Sequence, residues 1–187
     1  MISPAQREFC KVNDRLQYEY RTGIGTDIHK LVSDRPLLLG GVQVPFELGL
    51  LGHSDGDVVL HAVMDAVLGA AGLGDIGSLF PDTDSQWKDA NSSDLLYEVR
   101  EYVKQYNWQV VNLDVIIHTQ LPKLEPYKGQ MKREIAGLLE TDFANVNIKA
   151  KTNEGLDAVG EGRAIAATAA VLMRRRIKRT LQYLDTD

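Results

Sequence analysis

The feature that most constrains this chain is a nearly unbroken apolar stretch that follows a turn of short polar residues. It runs from Gly52 to Gly77 and reads GHSDGDVVLHAVMDAVLGAAGLGDIG. Short oxygen-bearing side chains satisfy the backbone N–H groups that the start of a helix leaves unpaired, which predicts a helix beginning near Asp57. A helix this apolar must be buried on most sides, so the rest of the chain has to supply the elements that cover it.

Three polar residues interrupt the apolar helix. Asp57, His61 and Asp65 recur at intervals of four, so they share one ridge, and a buried polar ridge needs partners. These residues alone leave two interpretations open. His61 is either a core histidine held by a neighbouring acid, or a metal ligand whose second ring nitrogen is held by a carboxylate.

A second polar pair lies upstream, in the segment Gly25-Thr-Asp-Ile-His29. If this segment is a strand, Asp27 and His29 point to the same face, with their Cα atoms about 6.6 Å apart. Two ligands from a strand and one from a buried helix would leave a fourth position open, as in catalytic zinc sites. The alternative is that the pair is only the polar end of a strand.

Composition limits the size of the fold and the class of partner. The 187 residues, 44% of them hydrophobic, suit one well-packed domain, and no apolar run approaches the ~18 residues of a membrane span. A net charge of −5 disfavours nucleic acid and anionic membranes as partners. Because Cys10 is the only cysteine and the first twenty residues resemble no targeting signal, we expect a soluble protein of a reducing compartment.

Apolar periodicity predicts strands interspersed with helices in one mixed layer structure. The predicted strands are 18–29, 36–44 with a turn or bulge at Gly40-Gly41, 110–119 and 146–151. The predicted helices after the central one are 93–106, 125–140 and 163–184. The basic run at 174–176 is either a nucleic-acid patch or a set of cations near the end of the last helix, and the acidic chain favours the second interpretation.

Two loops carry polar groups suited to a phosphorylated ligand. Thr152, Asn153 and Glu154 offer a hydroxyl, an amide and a carboxylate at a strand end, where phosphate oxygens and a hard cation such as magnesium could bind. Asp75, Asp82 and Asp84 lie in a loop that is either a substrate loop or a solvated acidic turn.

Five segments together resemble the 2-C-methyl-D-erythritol 2,4-cyclodiphosphate synthase family. They are GTDIH at 25–29, LLLGGV at 37–42, the long run at 51–84, QLPK at 120–123 and KAKTNE at 149–154. The resemblance covers roughly residues 20–175. It implies a metal-dependent cyclisation of 4-diphosphocytidyl-2-C-methyl-D-erythritol 2-phosphate, with release of CMP, in the non-mevalonate isoprenoid pathway.

The resemblance also implies an architecture and a location. The fold is α+β, a single-layer mixed sheet with helices covering one face, and three copies form a homotrimer around their sheets with active sites between subunits. Residues 20–176 form the synthase domain, 1–19 an extension, and 177–187 the end of the last helix and a tail. A bacterial chain of this family is cytoplasmic, and a plant or algal one lies in the plastid stroma.

The family's functional residues map onto this sequence one by one. Zn²⁺, or another divalent transition metal, is held by the positions of Asp27, His29 and His61, and Mg²⁺ or Mn²⁺ by that of Glu154. The implied substrate contacts are His53, Ser54, Phe80, Asp82 and Leu95 for the methylerythritol phosphate, Asp75 and Gly77 for the ribose, and Lys123, Lys151 and Thr152 for the cytidyl end. His53 and Thr152 match the positions implied in catalysis.

The sequence departs from the family pattern in two places. The first concerns the expected axis of the trimer, and the second the residues implied at the cytidyl end. A Gly-Arg-Gly-Glu-Gly run common in bacterial members is Gly160-Glu-Gly-Arg-Ala164 here, similar to plastid and cyanobacterial members. Lys151 and Asn153 replace common hydroxyl residues. Two rival functions also stay open on the sequence: a phosphohydrolase that activates water with the same ion, and a metal-stabilised trimer without catalytic activity.

Overall fold

The computed structural model describes residues 17–87 and 89–177, which form one mixed sheet, a small hairpin and five helices. The strands are β1 Gln17–Val32, β2 Leu37–Leu39, β3 Val42–Val44, β4 Gly49–Leu50, β5 Trp108–His118, β6 Val146–Lys151 and β7 Ala164–Ile177. The helices are α1 Val58–Ala71, α2 Ile76–Leu79, α3 Ser92–Gln105, α4 Lys128–Leu138 and α5 Asp157–Gly160.

The main sheet has the strand order β4-β1-β7-β5-β6, and β2 pairs only with β3. Its pairs are antiparallel except for β5 and β6, which run parallel. Helix α1 packs against β1 and β7, α3 against α1 and β5, and α4 against β6, and their buried side chains form one core. The predicted α+β class with a mixed sheet is therefore confirmed.

Strand β1 has two chemically different faces. Its odd-numbered residues from 23 to 31 lie on the side of α1, whereas the even-numbered residues from 20 to 30 are exposed or nearly so on the opposite side. Gly23 and Gly25 let α1 approach closely, because a Cβ atom at either position would overlap the carbonyl oxygen of Ala66 or Ala62. Asp27 and His29 consequently point towards the helix, as the strand pattern predicts.

Asp57 is the N-cap of α1 and also holds the β2–β3 hairpin. Its fully buried carboxylate accepts hydrogen bonds from the amides of Val59 and Leu60 at 3.1 Å, and from those of Gly40 and Gly41 at 2.9 and 2.7 Å. Burial raises the pKa of Asp57, and the hydrogen bonds from the amides of Gly41, Gly40 and Leu60 oppose that shift. The predicted helix start is confirmed, although Asp57 caps the helix and lies just before its first residue.

The prediction of a helix over 163–184 is wrong where the structure describes it, because residues 164–177 form β7. Residues 178–184 lie outside the described part of the chain. Alanine favours helices intrinsically, but here alternate small residues pack against α1 while the others line the opposite face of the sheet. Small apolar residues on both faces leave no alternation of polar and apolar residues to indicate a strand.

The arginines at 174–176 are therefore strand residues and not cations at a helix end. Arg175 lies over the Trp108 ring at 4.7 Å and pairs with Glu19 at 2.7 Å, and Arg174 lies over Tyr18 at 5.0 Å. These contacts join the ends of β1, β5 and β7.

The remaining element predictions agree with the structure to within a few residues. Predicted strand 36–44 divides at its two glycines into β2 and β3, and the helices predicted at 93–106 and 125–140 correspond to α3 and α4. Strand β1 begins two residues before the predicted end of the extension, most of which lies outside the described residues. Among the described residues, none of the helices has the length and apolarity to span a membrane.

Candidate metal and substrate site

Three candidate metal ligands converge at the contact between β1 and α1. Asp27 Oδ2 lies 2.8 Å from His61 Nδ1 and 2.9 Å from His29 Nε2, and the two imidazole nitrogens are 3.1 Å apart. Neighbouring donor atoms of a tetrahedral zinc site with bonds of about 2.0 Å are ~3.3 Å apart. The cluster therefore needs to widen by only a few tenths of an ångström to hold an ion.

The chemistry of the donor set also fits a transition metal. One carboxylate oxygen and two imidazole nitrogens are ordinary zinc ligands, and three of them leave a position for a further ligand. Within residues 17–87 and 89–177, no other set of three histidine, cysteine or acidic side chains meets in this way. Glu154, predicted to hold a second cation, lies outside this cluster.

The charges of the three residues are strongly linked. Burial by itself would raise the pKa of Asp27, but hydrogen bonds from His29 and His61 outweigh burial and hold that pKa well below its usual range. Burial would lower the pKa of His61, yet the hydrogen bond and charge of Asp27 raise it. Without a metal, a proton on His61 thus neutralises the carboxylate, and an arriving cation must replace that proton.

The far side of the His61 ring faces two serine hydroxyls. Nε2 lies 3.0 Å from Ser54 Oγ and 3.1 Å from Ser92 Oγ, and Ser92 Oγ lies 2.5 Å from the carboxylate of Asp55. Ser92 is fully buried and Ser54 is 7% exposed. Ser54 thus has its hydroxyl beside a metal-ligand candidate, whereas His53 is exposed at the surface of the same turn.

The loop that follows α1 carries the predicted ribose residues at its surface. Asp75 caps α2 by accepting from Ser78 N at 2.8 Å, and the hydrogen bonds of Ser78 lower its pKa, which keeps the carboxylate charged. Gly77 is exposed beside it. Asp65, one turn beyond His61, accepts from Ile76 N at 2.9 Å and so fastens this loop to the metal-site helix.

Three further predicted substrate residues differ in accessibility. Asp82 is exposed, and Phe80 is half-buried with its ring 4.9 Å from that of Trp87. Leu95 is only 6% exposed and belongs to the hydrophobic core. Its side chain therefore packs inside the fold, and its contact with substrate stays a prediction.

A second group of predicted residues lies at the parallel ends of β5 and β6. Thr119 N donates to the carbonyl of Lys151 at 2.9 Å, which brings the loop that carries Lys123 alongside the end of β6. Thr152 Oγ1 donates to Glu154 Oε1 at 2.6 Å, and Glu154 has a left-handed φ of 52°. Lys123 and Lys151 are both exposed here.

Sequence reasoning missed Asp55, Ser92 and Asp65 as supports of the site. In the sequence, Asn91-Ser92-Ser93 indicates only the start of a helix, and in the structure Asn91 is the N-cap of α3. Nothing in its spacing indicates that Ser92 meets a histidine 31 positions away. The interval of four that places Asp65 near His61 was the one available signal.

The fold and the cluster define a class of protein: an α+β domain with a carboxylate and two imidazoles that could hold a metal ion. Comparison with known proteins narrows the class. A model of the YgbB family matches residues 20–174. The chain therefore belongs to the YgbB family.

Named relatives agree with this assignment. The 2-C-methyl-D-erythritol 2,4-cyclodiphosphate synthase of Geobacillus sp. (strain WCH70) is 54% identical over 84% of this chain and 99% of its own. IspF of Plasmodium falciparum, in a CDP complex, superposes with a TM-score of 0.75 at 34% identity, over 84% of this chain and 97% of its own. The bifunctional IspDF of Campylobacter jejuni superposes with a TM-score of 0.82 at 43% identity, over 85% of this chain and 43% of its own.

Proposed function

We propose that this chain cyclises 4-diphosphocytidyl-2-C-methyl-D-erythritol 2-phosphate to 2-C-methyl-D-erythritol 2,4-cyclodiphosphate and releases CMP, a step of the non-mevalonate isoprenoid pathway. A 2-phosphate oxygen attacks the β-phosphorus, and the bond from that phosphorus to the oxygen bridging it to the α-phosphate breaks. CMP leaves with the bridging oxygen, and no water is consumed. The convergence of Asp27, His29 and His61, within segments that match the family, is the observation that carries the proposal.

Two cations complete the site. Asp27, His29 and His61 would hold Zn²⁺ or another divalent transition metal, and Glu154 would bind Mg²⁺ or Mn²⁺, whose oxygen preference suits a carboxylate and phosphates. Both ions, when bound, neutralise and polarise phosphate oxygens. The protein's own contribution is to hold the two reacting phosphates in line and to exclude water.

Each predicted contact has a task that its surroundings support. Ser54 and His53 would orient the methylerythritol phosphate, with Phe80, Asp82 and Leu95 bordering it. The charged carboxylate of Asp75, beside Gly77, is suited to accept hydrogen bonds from ribose hydroxyls.

The Thr152 hydroxyl donates to Glu154 in the free protein. When Glu154 turns to a cation, that hydroxyl becomes available to a phosphate oxygen. Lys123 and Lys151 supply positive charge at the cytidyl end.

A homotrimer would bring the two groups of site residues together across subunits. The outer face of β1 supports such packing, because Tyr20, Ile24 and Ile28 are 54%, 70% and 56% exposed in the single chain. Large exposed apolar side chains on one sheet face are typical of protein interfaces. The single cysteine favours a reducing compartment, the bacterial cytoplasm or a plastid stroma.

One assay separates the candidate functions. The cytidyl substrate is incubated with the protein, zinc and magnesium, and CMP and inorganic phosphate are both quantified. The cyclase releases CMP without a gain in inorganic phosphate, and a chelator stops it. A gain in inorganic phosphate would establish a phosphohydrolase instead. Absence of both products, together with no binding of CDP, would leave only a metal-stabilised assembly.

A further inference from the structure

The side of His61 that faces away from Asp27 is held by a chain of polar groups in which Ser92 is buried and Asp55 is half-buried. Nε2 contacts Ser92 Oγ at 3.1 Å, and Ser92 Oγ contacts Asp55 Oδ1 at 2.5 Å. Asp55 Oδ2 also accepts from Ser92 N at 2.9 Å, and Asp55 N donates to the carbonyl of Ala90 at 3.1 Å. The turn before α1 is thus joined to the first turn of α3 at the point where Ser92 meets the imidazole.

The direction of these hydrogen bonds follows from the number of protons available. A serine hydroxyl has one hydrogen, and an ionised carboxylate can only accept. The hydrogen of Ser92 is therefore donated to Asp55, whose charge is also favoured at the N-terminus of α3. Ser92 Oγ has only a lone pair left for His61, so Nε2 of the imidazole must carry a hydrogen and donate it.

The tautomer of His61 decides what the other ring nitrogen can do. With the hydrogen on Nε2, the neutral ring has its lone pair on Nδ1, which lies 2.8 Å from Asp27 Oδ2 and 3.1 Å from His29 Nε2. The opposite tautomer would place a hydrogen inside the three-atom cluster, where no cation could use that nitrogen. Imidazole metal ligands are commonly oriented by an acceptor at their second nitrogen.

We propose that Asp55 and Ser92 are positioning residues that fix His61 as the Nε2–H tautomer and thereby present Nδ1 to the metal. The proposal rests on the metal site of the proposed function and assigns two residues outside the donor set to it. Ser54 Oγ, 3.0 Å from the same Nε2, shares the hydrogen as a second acceptor. Its own hydrogen is then left for another acceptor, which suits its predicted contact with a phosphate.

The first test uses the unmodified protein. Nitrogen-15 NMR of histidine-labelled, zinc-loaded protein shows which ring nitrogen of His61 carries the hydrogen and which one binds the ion. We expect the hydrogen on Nε2. A hydrogen on Nδ1 would overturn the proposal without recourse to any variant, and therefore without any question of folding.

The second test measures zinc affinity by competition with a chromophoric chelator. Ser92→Ala should weaken zinc binding about 10- to 100-fold, the usual effect of losing such a partner, whereas Ser92→Thr, which keeps the hydroxyl, should restore it to within a few fold. Ser93→Ala is the matched control, because this neighbouring hydroxyl has no part in the chain of contacts. Asp55→Asn should weaken zinc less than Asp55→Ala, since its amide oxygen still accepts.

The outcomes are distinguishable from failure of the proposed function. Thermal unfolding of each metal-free variant shows whether it folds, and zinc affinity is measured without substrate. If Ser92→Ala binds zinc as tightly as the wild type, the positioning role is wrong even if CMP release is normal. If no CMP is released but the tautomer and the affinity series are as expected, only the proposed reaction fails.

Discussion

A single carboxylate oxygen stands between two imidazole rings at the centre of the candidate site. Asp27 Oδ2 is within 2.9 Å of a ring nitrogen of each of His29 and His61, so the metal-free cluster needs a proton at the place of the cation. The spacing of Asp27 and His29 in a strand was enough to predict that they share a face. That His61 completes the group depends on how α1 sits on β1, which no local pattern contains.

His61→Ala should abolish zinc binding and CMP release while leaving the fold intact, because Asp27 and His29 alone hold the ion poorly. Zinc content by atomic emission and CMP release are the measurements, and circular dichroism monitors the fold. His118→Ala is the control for zinc content only, since this histidine lies outside the cluster, at the end of β5 next to Asn153. Wild-type turnover by His61→Ala would contradict the proposed site.

Protonation of His61 should give the metal-free protein a specific pH dependence. Because its folded pKa is raised above the unfolded value of about 6.5, the His61–Asp27 pair stabilises the fold fully below pH ~6.5. That contribution is lost as the pH rises through the raised pKa. Thermal unfolding without metal should therefore show this loss of stability in the wild type and not in His61→Ala. Zinc affinity should fall about tenfold per pH unit below the same pKa, because the ion must replace the proton.

The Asp27 side of the pair has the opposite dependence. Because its folded pKa is lowered, its contribution is present above the unfolded value of about 3.9 and disappears as the pH falls towards the folded pKa. For the His61 prediction, the outcome that contradicts it is an equal dependence of the unfolding temperature on pH, above pH 6.5, in the metal-free wild type and His61→Ala.

Glu154→Ala should leave zinc content unchanged and weaken the magnesium-dependent part of the activity. The reason is that Glu154 lies outside the zinc cluster, at the end of β6, where only its own carboxylate would bind the second ion. The measurement is CMP release over a magnesium titration. An unaltered magnesium dependence would remove Glu154 from the mechanism.

At the scale of elements, the site depends on how closely α1 lies on β1. Helix α1 and strand β6 could be predicted because their apolar patterns and their ends are local properties of the sequence. Strand β7 could not, because residues 164–173 favour a helix by composition and become a strand only through pairing with β1 and β5 on either side. The contact of Ser92 with His61 could not be predicted either, because it follows from the docking of α3 on α1.

Gly25→Ala should lower the free energy of unfolding by about 1–3 kcal/mol, because its methyl group would overlap the backbone of α1 at Ala62 and Ala66. The same displacement of α1 should move His61 and weaken zinc binding. Gly69→Ala is the control on α1, where nothing lies within 4 Å of the added methyl group, and it should stabilise by up to ~1 kcal/mol. Denaturant unfolding measures the stability of both variants. Equal effects of Gly25→Ala and Gly69→Ala on the free energy of unfolding would refute the close-packing explanation.

At the scale of the whole molecule, the sheet has one face in the core and the other uncovered in the single chain. The uncovered face carries Tyr20, Ile24 and Ile28 along β1. The family resemblance implied helices on one face of the sheet, but the apolar content of the other face appears only once β7 is known to be a strand. A proposed trimer would bury this face. It would also bring Asp27, His29 and His61 of one subunit close to the residues predicted to bind the cytidyl end in the next subunit.

Ile24→Lys should convert the proposed trimer to monomers and stop CMP release, because a charge would be buried at the interface. Zinc binding should persist, since the three ligands come from one chain. Sedimentation equilibrium gives the mass, and Glu98→Lys on the exposed side of α3 is the control for an added positive charge. A wild-type protein that is monomeric and active would rule out sites shared between subunits.

The buried carboxylate of Asp57 has one further consequence. It ties the tips of two separate segments, the turn of the β2–β3 hairpin and the start of α1, to the same two oxygen atoms. If the start of α1 opened together with Asp57, the amides of Gly40 and Gly41 would lose their acceptor. If the hairpin opened, the buried carboxylate would lose two of its four donors. The opening of the hairpin, although it is short and pairs with no strand of the main sheet, is therefore coupled to the opening of the start of α1.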